Sequence, residues 1–214
     1  LMKKTTVFLL CMLALALVFV YQSIQFKSGS SVSSINRQLH QEERKTTFAQ
    51  TLSLKATAAK RFIKNNRYNE EFCFLIDMKI RSGFNRFFVY DLKNDSILNA
   101  GIVTHGRCNE RWLSGRKYGN EPGCGCTSLG KYKIGNPYMG RFGLAYKLHG
   151  LDSTNSNAFR RYVVLHAHDC VPADEVFTEI CQSDGCPTVS PNFLKKLQRL
   201  IDDSPKPVLL WIYE

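Results

Sequence analysis

Tyr162-Val163-Val164-Leu165-His166-Ala167-His168, followed one loop later by Ser183-Asp184-Gly185-Cys186-Pro187, is the pair of stretches on which the reading of this chain turns. The aromatic and β-branched run ending at His166 is patterned as a strand, and it delivers imidazoles toward a cysteine preceded by glycine. A thiol attacks carbonyl carbon well once a base makes it thiolate, and imidazole can serve as that base near neutral pH. Gly185 leaves the amides of Gly185 and Cys186 open to a developing oxyanion. The expected chemistry is acyl transfer, with Cys186 as nucleophile and His166, 20 residues before it, as base. His168, 18 residues before Cys186, shares the face of His166 if the strand continues through Ala167, and is the alternative base. Ser183 is expected to hydrogen-bond the base or its loop. The competing readings are turn chemistry alone for Ser183 and Gly185, and a disulfide at Cys186, which would abolish the mechanism.

Outward from this pair the pattern is mainly β. Phe72 to Met78, Phe87 to Leu92 and Ile97 to Thr104 alternate with turn residues as a meander of strands, and Leu144 to Leu148 and Arg161 to His166 read as two more. The polar run Asp152 to Asn157 reads as the loop between those two, and Cys108 to Gly143, rich in glycine, as long loops with short strands. Phe48 to Phe62 carries a helical period. Ser190 caps a second helix that has Pro191 at its first position, with Phe193, Leu194, Leu197, Leu200 and Ile201 on one stripe and Pro205 as its stop. Pro207 to Tyr213 completes a last buried strand. The fold class expected is mainly β with flanking α-helices, an α+β domain.

The Ser-x-Gly-Cys-Pro string at 183–187 resembles the nucleophile motif of one variant of the murein L,D-transpeptidase catalytic domain, a YkuD-like family. The likeness extends back through Tyr118-Gly119-Asn120-Glu121-Pro122-Gly123, Thr127 to Tyr132, Tyr138 to Gly143 and Lys147 to Asp152, and runs over residues 85–200. It implies a β-sandwich or barrel catalytic domain needing no metal or organic cofactor. It also implies attack of Cys186 on the L-centre carbonyl of a peptidoglycan stem tetrapeptide, loss of terminal D-alanine, and a thioester acyl-enzyme. An amine of a second stem then resolves that thioester into a 3-3 cross-link, so stem peptides are the expected donor and acceptor. Asp184 departs from the family pattern, which often has histidine before Gly-Cys, and Pro187-Thr188 replaces the segment that usually supplies an arginine, leaving Arg141 as a stand-in. Water as acceptor would make the chain a carboxypeptidase or endopeptidase, and a protein amine would make it a wall-attachment enzyme. A non-catalytic, disulfide-stabilised wall-binding module is the reading from a different class.

At the N-terminus, Lys3 and Lys4 precede the apolar run Val7 to Val20, the pattern of an export signal, so residues 1–26 are expected to be a signal peptide or uncleaved signal anchor touching the membrane. The run is short for a spanning helix of about 20 residues, and no small-x-small cleavage site follows it. Cys11 lacks a convincing lipobox. Residues 27–46 are expected to be a flexible tether and 47–214 the catalytic domain. The protein is then exported and works in the periplasm or on the extracytoplasmic face of the cytoplasmic membrane.

A net charge of +11 and a pI of about 9.3 favour polyanionic partners, and peptidoglycan carboxylates fit that sign. Nucleic acid is disfavoured by export and by the lack of a recognisable reading module. Eight cysteines in an oxidising compartment permit up to three bridges among Cys73, Cys108, Cys124, Cys126, Cys170 and Cys181, with Cys170 to Cys181, flanking the site loop, the first expectation. Buried free thiols are the alternative. Neither Cys124-Gly125-Cys126 nor His166-Ala167-His168 has the spacing usual for zinc.

Overall fold

The structure, a computed structural model, describes residues 19, 42–43 and 45–214 in two units, 1–51 and 52–214. The expected signal segment and most of the tether lie outside the described residues, and those described in the first unit are helical. Among the described residues no helix is long and apolar enough to cross a membrane.

The second unit opens with α1, helical over residues 52–66. Leu52, Ala56, Ala59 and Ile63 fall on one stripe and are all buried. Then come β1 (Phe72–Asp77), β2 (Phe87–Asp91), β3 (Ser96–Gly101), β4 (Gly130–Gly140), β5 (Gly143–Gly150), β6 (Val164–Ala167), β7 (Thr188–Val189), helix α2 (Pro191–Asp202) and β8 (Leu209–Tyr213). All eight strands form one open mixed sheet in the order β3-β2-β1-β8-β4-β5-β6-β7. The last strand is thus central, parallel to β1 and antiparallel to β4. The mainly β expectation with flanking helices holds.

Every residue of β1 is buried, which explains its unbroken apolar run: both faces of the central strands are covered. On one face Phe72, Phe74 and Ile76 join Phe87, Val89, Tyr132, Leu148 and Leu210 in a core completed by Phe193, Leu194 and Leu197 of α2. The Phe193 ring stands edge-on to Phe87 at 5.3 Å and lies so close to Gly101 that a Cβ there would meet it at 2.5 Å. Burying each of these side chains stabilises the fold by about 1.5–3 kcal/mol. On the other face, Lys55 of α1 reaches over Trp211 at 5.0 Å and Lys131 lies over Phe62 at 5.5 Å, so α1 covers β8 and β4 there. Helix α2 starts as its sequence dictates, Ser190 Oγ accepting the Phe193 N–H at 3.3 Å with Pro191 at the first position.

Three expectations are corrected. The region Cys108 to Gly143 holds one long strand in place of the short ones expected, because β4 takes eleven of its residues. Tyr132 and Ile134 alternate with Lys131 and Lys133 in a period of two, and the glycines sit where a side chain would collide: a Cβ on Gly135 would meet His149 at 2.7 Å. The strand expected from Arg161 starts only at Val164, since Tyr162 adopts a φ of 57° that interrupts extended backbone. The polar loop after Asp152 contains a 3-10 turn, Ser153–Asn155, tied by Asn155 Oδ1 accepting the Asp152 N–H at 2.9 Å.

The two ends of the sheet meet. Beyond β3, Val103 bridges Val189 of β7, and the Thr104 N–H donates to the Thr188 carbonyl at 2.9 Å. Farther along this seam Gly106 bridges Ser183, the Ser183 N–H reaches the His105 carbonyl and the Arg107 N–H reaches the Ser183 carbonyl. The nucleophile loop therefore lies between β6 on one side and residues 103–107 on the other.

Candidate active site

Strand β7 runs parallel to β6 with His166 opposite Thr188, and this register sets Cys186, two residues upstream, beside the same edge. Cys186, His166, His168 and Ser183 all line one cavity of about 420 Å³, together with Thr104, Arg107, Arg111, Phe142 and Thr188. Gly185 shapes the loop. Its φ of 107° suits glycine, and a Cβ there would meet the Cys126 carbonyl oxygen at 2.6 Å. Ser183 binds its own loop, its hydroxyl donating to the Cys186 carbonyl at 2.7 Å and accepting the Gly185 N–H at 3.2 Å. Thr104 Oγ1 donates to the same Cys186 carbonyl at 3.1 Å and accepts the Thr188 N–H at 3.1 Å. The backbone around the thiol is thus clamped by hydroxyls from two segments.

The half-buried Cys186 thiol donates toward the Tyr162 carbonyl at 3.8 Å. Burial raises the pKa of this thiol, while the Val164 N–H and then the Arg161 charge act in the opposite direction. His166 is buried, at 6 % exposure. Its Nδ1 faces the Ala167 carbonyl at 3.0 Å, an acceptor only, so Nδ1 carries the proton and Nε2 is the basic nitrogen. Nε2 lies 3.0 Å from Thr188 Oγ1, which donates to it. Burial holds the imidazole below its ordinary pKa, against the Ala167 bond, so His166 is neutral at pH 7 and able to accept a proton. His168 is exposed, and its Nδ1 accepts the Cys170 N–H at 3.1 Å. Phe142, in the turn between β4 and β5, stacks on His166 at 4.9 Å and meets His168 edge-on at 5.5 Å.

Several residues here were not singled out by sequence reading. Thr188 and Thr104 hold His166 and the Cys186 backbone, Phe142 covers both imidazoles, and Arg161 reaches behind the loop that carries Cys186. Arg141, considered as a substrate-holding group, lies against Phe142 at 5.5 Å, and the arginines that line the cavity are Arg107 and Arg111. Asp184 is paired to Arg107 at 2.7 Å.

Two disulfides brace the surroundings. Cys170 to Cys181 forms as expected, and Cys108 bonds Cys126, leaving Cys73, Cys124 and Cys186 as the free thiols among the described residues. Cys186 is thus unbridged.

A search of the curated proteins found no match. Among solved structures, an L,D-transpeptidase from Mycobacterium smegmatis is 11 % identical with a TM-score of 0.41, over 67 % of this chain and 59 % of that one. The helical cell shape determining protein Pgp2 from Campylobacter jejuni is 16 % identical with a TM-score of 0.42, over 69 % and 49 %. An L,D-transpeptidase from Xylanimonas cellulosilytica is 15 % identical with a TM-score of 0.37, over 66 % and 60 %. The chain spans from about half to three fifths of the length of these structures. The family model described as the L,D-transpeptidase catalytic domain matches residues 43–213, most of the chain, and the protein therefore belongs to that family.

Proposed function

We propose that this protein is a cysteine acyltransferase that acts on peptidoglycan stem peptides outside the cytoplasmic membrane, forming 3-3 cross-links by L,D-transpeptidation. The observation that carries this reading is the cavity shared by a neutral, buried His166 on β6 and an unbridged Cys186 in the loop that leads into the parallel strand β7. Family membership supplies the substrate class. In the resting arrangement the thiol engages the Tyr162 carbonyl and Nε2 engages Thr188, so catalysis begins when the thiol swings to Nε2 and displaces that hydroxyl. The proton moves to Nε2, the sulfur bonds the donor carbonyl carbon, and the Cys186 amide receives the oxyanion, the Gly185 amide being held by Ser183. Collapse breaks the bond to the terminal D-residue, whose amine takes the proton from His166. A second stem amine then attacks the thioester, and water as the acceptor would give hydrolysis.

On this reading the chain comprises a catalytic region from residue 47 onward, preceded by a tether and by an export segment that is either a cleaved signal peptide or an uncleaved anchor that keeps the protein at the membrane. Intact mass after incubation with a muropeptide tetrapeptide tests the function. A thioester adduct or cross-linked dimer that vanishes in Cys186→Ala supports transpeptidation, and a trimmed stem without dimer assigns hydrolysis. Neither adduct nor product, with a free thiol confirmed, returns the chain to the wall-binding module.

A further inference from the structure

Arg161 brings a positive charge up behind the loop that carries Cys186 without a carboxylate to meet it. Its Nη1 donates to the Gly119 carbonyl at 2.9 Å and to Ser128 Oγ, and its Nη2 donates to the Cys126 carbonyl at 2.6 Å. All three acceptors are neutral, and among the described residues Arg161 takes part in no ion pair. The side chain is partly buried, so its charge is less screened than one on the surface. A Cβ added to Gly185 would lie 3.2 Å from Nη2, which puts the guanidinium against the residue preceding the nucleophile. The Cys186 sulfur meanwhile approaches the carbonyl of Tyr162, the neighbour of Arg161.

The fold fixes this placement. Ala158, fully buried in the core, anchors a run of turns in which the Arg161 N–H donates to the Asn157 carbonyl at 2.8 Å and the Tyr162 N–H to Phe159 at 3.1 Å. Asn120 clamps that run from outside, its Oδ1 accepting the Asn157 N–H at 3.1 Å. The guanidinium is therefore held beside Gly185, one residue before Cys186.

We propose that Arg161 is the fixed cation that stabilises Cys186 as a thiolate, acting as the positioning and charge-setting residue for the nucleophile. The inference rests on the assignment of Cys186 as the nucleophile. His166 is neutral at rest, so no imidazolium faces the sulfur before transfer. When the thiol proton passes to Nε2, the new negative charge on sulfur meets a guanidinium that stays protonated, and no reorganisation is needed to bring it there. The same charge supports the negative tetrahedral adduct formed on that sulfur.

A purely structural Arg161 would pin residues 119–128 against the nucleophile loop and do nothing else. The two roles separate in the pH dependence of alkylation of Cys186 by iodoacetamide, followed by mass mapping of the Cys186 peptide in the whole chain. The midpoint reports thiolate formation, and the plateau at high pH reports access and loop integrity. Arg161→Gln is expected to raise the midpoint by about one to two pH units, with at least tenfold slower labelling at pH 7, and Arg161→Lys to recover most of that shift. A lowered plateau at an unchanged midpoint in Arg161→Gln overturns the proposal, as does Arg161→Lys behaving like Arg161→Gln. Because the probe needs no muropeptide, a shifted midpoint without turnover on stems would rule against the substrate reading and leave the Arg161 assignment standing.

Discussion

His105 and His166 lie on neighbouring segments of the seam where the ends of the sheet meet, and they are buried almost alike, at 1 % and 6 % exposure. Their surroundings are opposite. His105 is sealed between Arg86 Nη2 at 3.3 Å and Arg116 Nη1 at 3.5 Å, with Glu179 paired to Arg116 behind it. Burial, then Arg116 and Arg86, push its pKa down to about 3. The polar partners of His166 are a hydroxyl and its own strand's carbonyl, its ring is stacked on Phe142, and it lines a cavity shared with a thiol. Burial alone therefore does not mark a catalytic imidazole. What distinguishes His166, the proposed base, is a basic nitrogen held by a partner that can yield, whereas burial and then the cations on both sides of His105 keep it from taking a proton at any physiological pH.

The strongest way to break this contrast is to remove the thiol. Cys186→Ala should lower formation of cross-linked or trimmed muropeptide by a factor on the order of 10⁴ or more, with an unchanged melting temperature. A variant that melts early would make Cys186 a packing residue instead. On the sealed side the effect falls on stability. Arg86 donates to the Val103 carbonyl through Nε and Nη2 and to the Ile80 carbonyl through Nη1, all buried or partly so. Arg86→Met strands those carbonyls and should cost about 3 kcal/mol in urea unfolding; an unaltered midpoint would show the cluster to be dispensable.

The pH dependence of stability sharpens the same comparison. With a folded pKa of about 3 against an ordinary 6.5, His105 is neutral in both states above pH 6.5, and below it only the unfolded chain binds the proton. Its contribution is present above pH 6.5 and is lost as pH falls toward 3. Relative to His105→Asn, the native protein should lose about 2 kcal/mol more between pH 7.5 and pH 5. Parallel curves for the two proteins would mean that His105 is protonated in the folded state.

How much of this was legible in the sequence follows from how locally each feature is determined. The cap at Ser190 and Pro191, the strands at Phe72 and Phe87, and the strand bearing His166 announce themselves through neighbours in the chain. The family motif at 183–187 adds the nucleophile. β4 was masked because its glycines, placed for close approach to His149 and Asn155, read as loop when the approaching partner is unseen. Thr104, Arg161 and Thr188 carry no local signal at all. Thr104 reaches Cys186 across 82 residues and Arg161 reaches Cys126 across 35, so only the closed seam reveals what they hold. The bridge of Cys108 to Cys126 rather than Cys124 is likewise decided by the approach of two loops.

The smallest expected effect tests the partner that yields. Thr188→Val keeps the shape of the side chain but removes the hydroxyl that donates to His166 Nε2 at 3.0 Å. When Nε2 takes a proton the hydroxyl must turn to accept from it, sending its own hydrogen to the Cys186 carbonyl at 3.4 Å, so the donated bond favours the neutral imidazole and its loss should raise the His166 pKa. A raised pKa leaves more of the base protonated at low pH, so the acid limb of the rate profile should move to higher pH. Turnover at pH 6 should fall by up to about twofold, while turnover at pH 8 should hold or rise, since Nε2 no longer has a hydroxyl to displace. An NMR titration of the His166 ring would read the shift directly. An acid limb that stays in place or moves to lower pH would mean that Thr188 is not donating to His166 in the working enzyme.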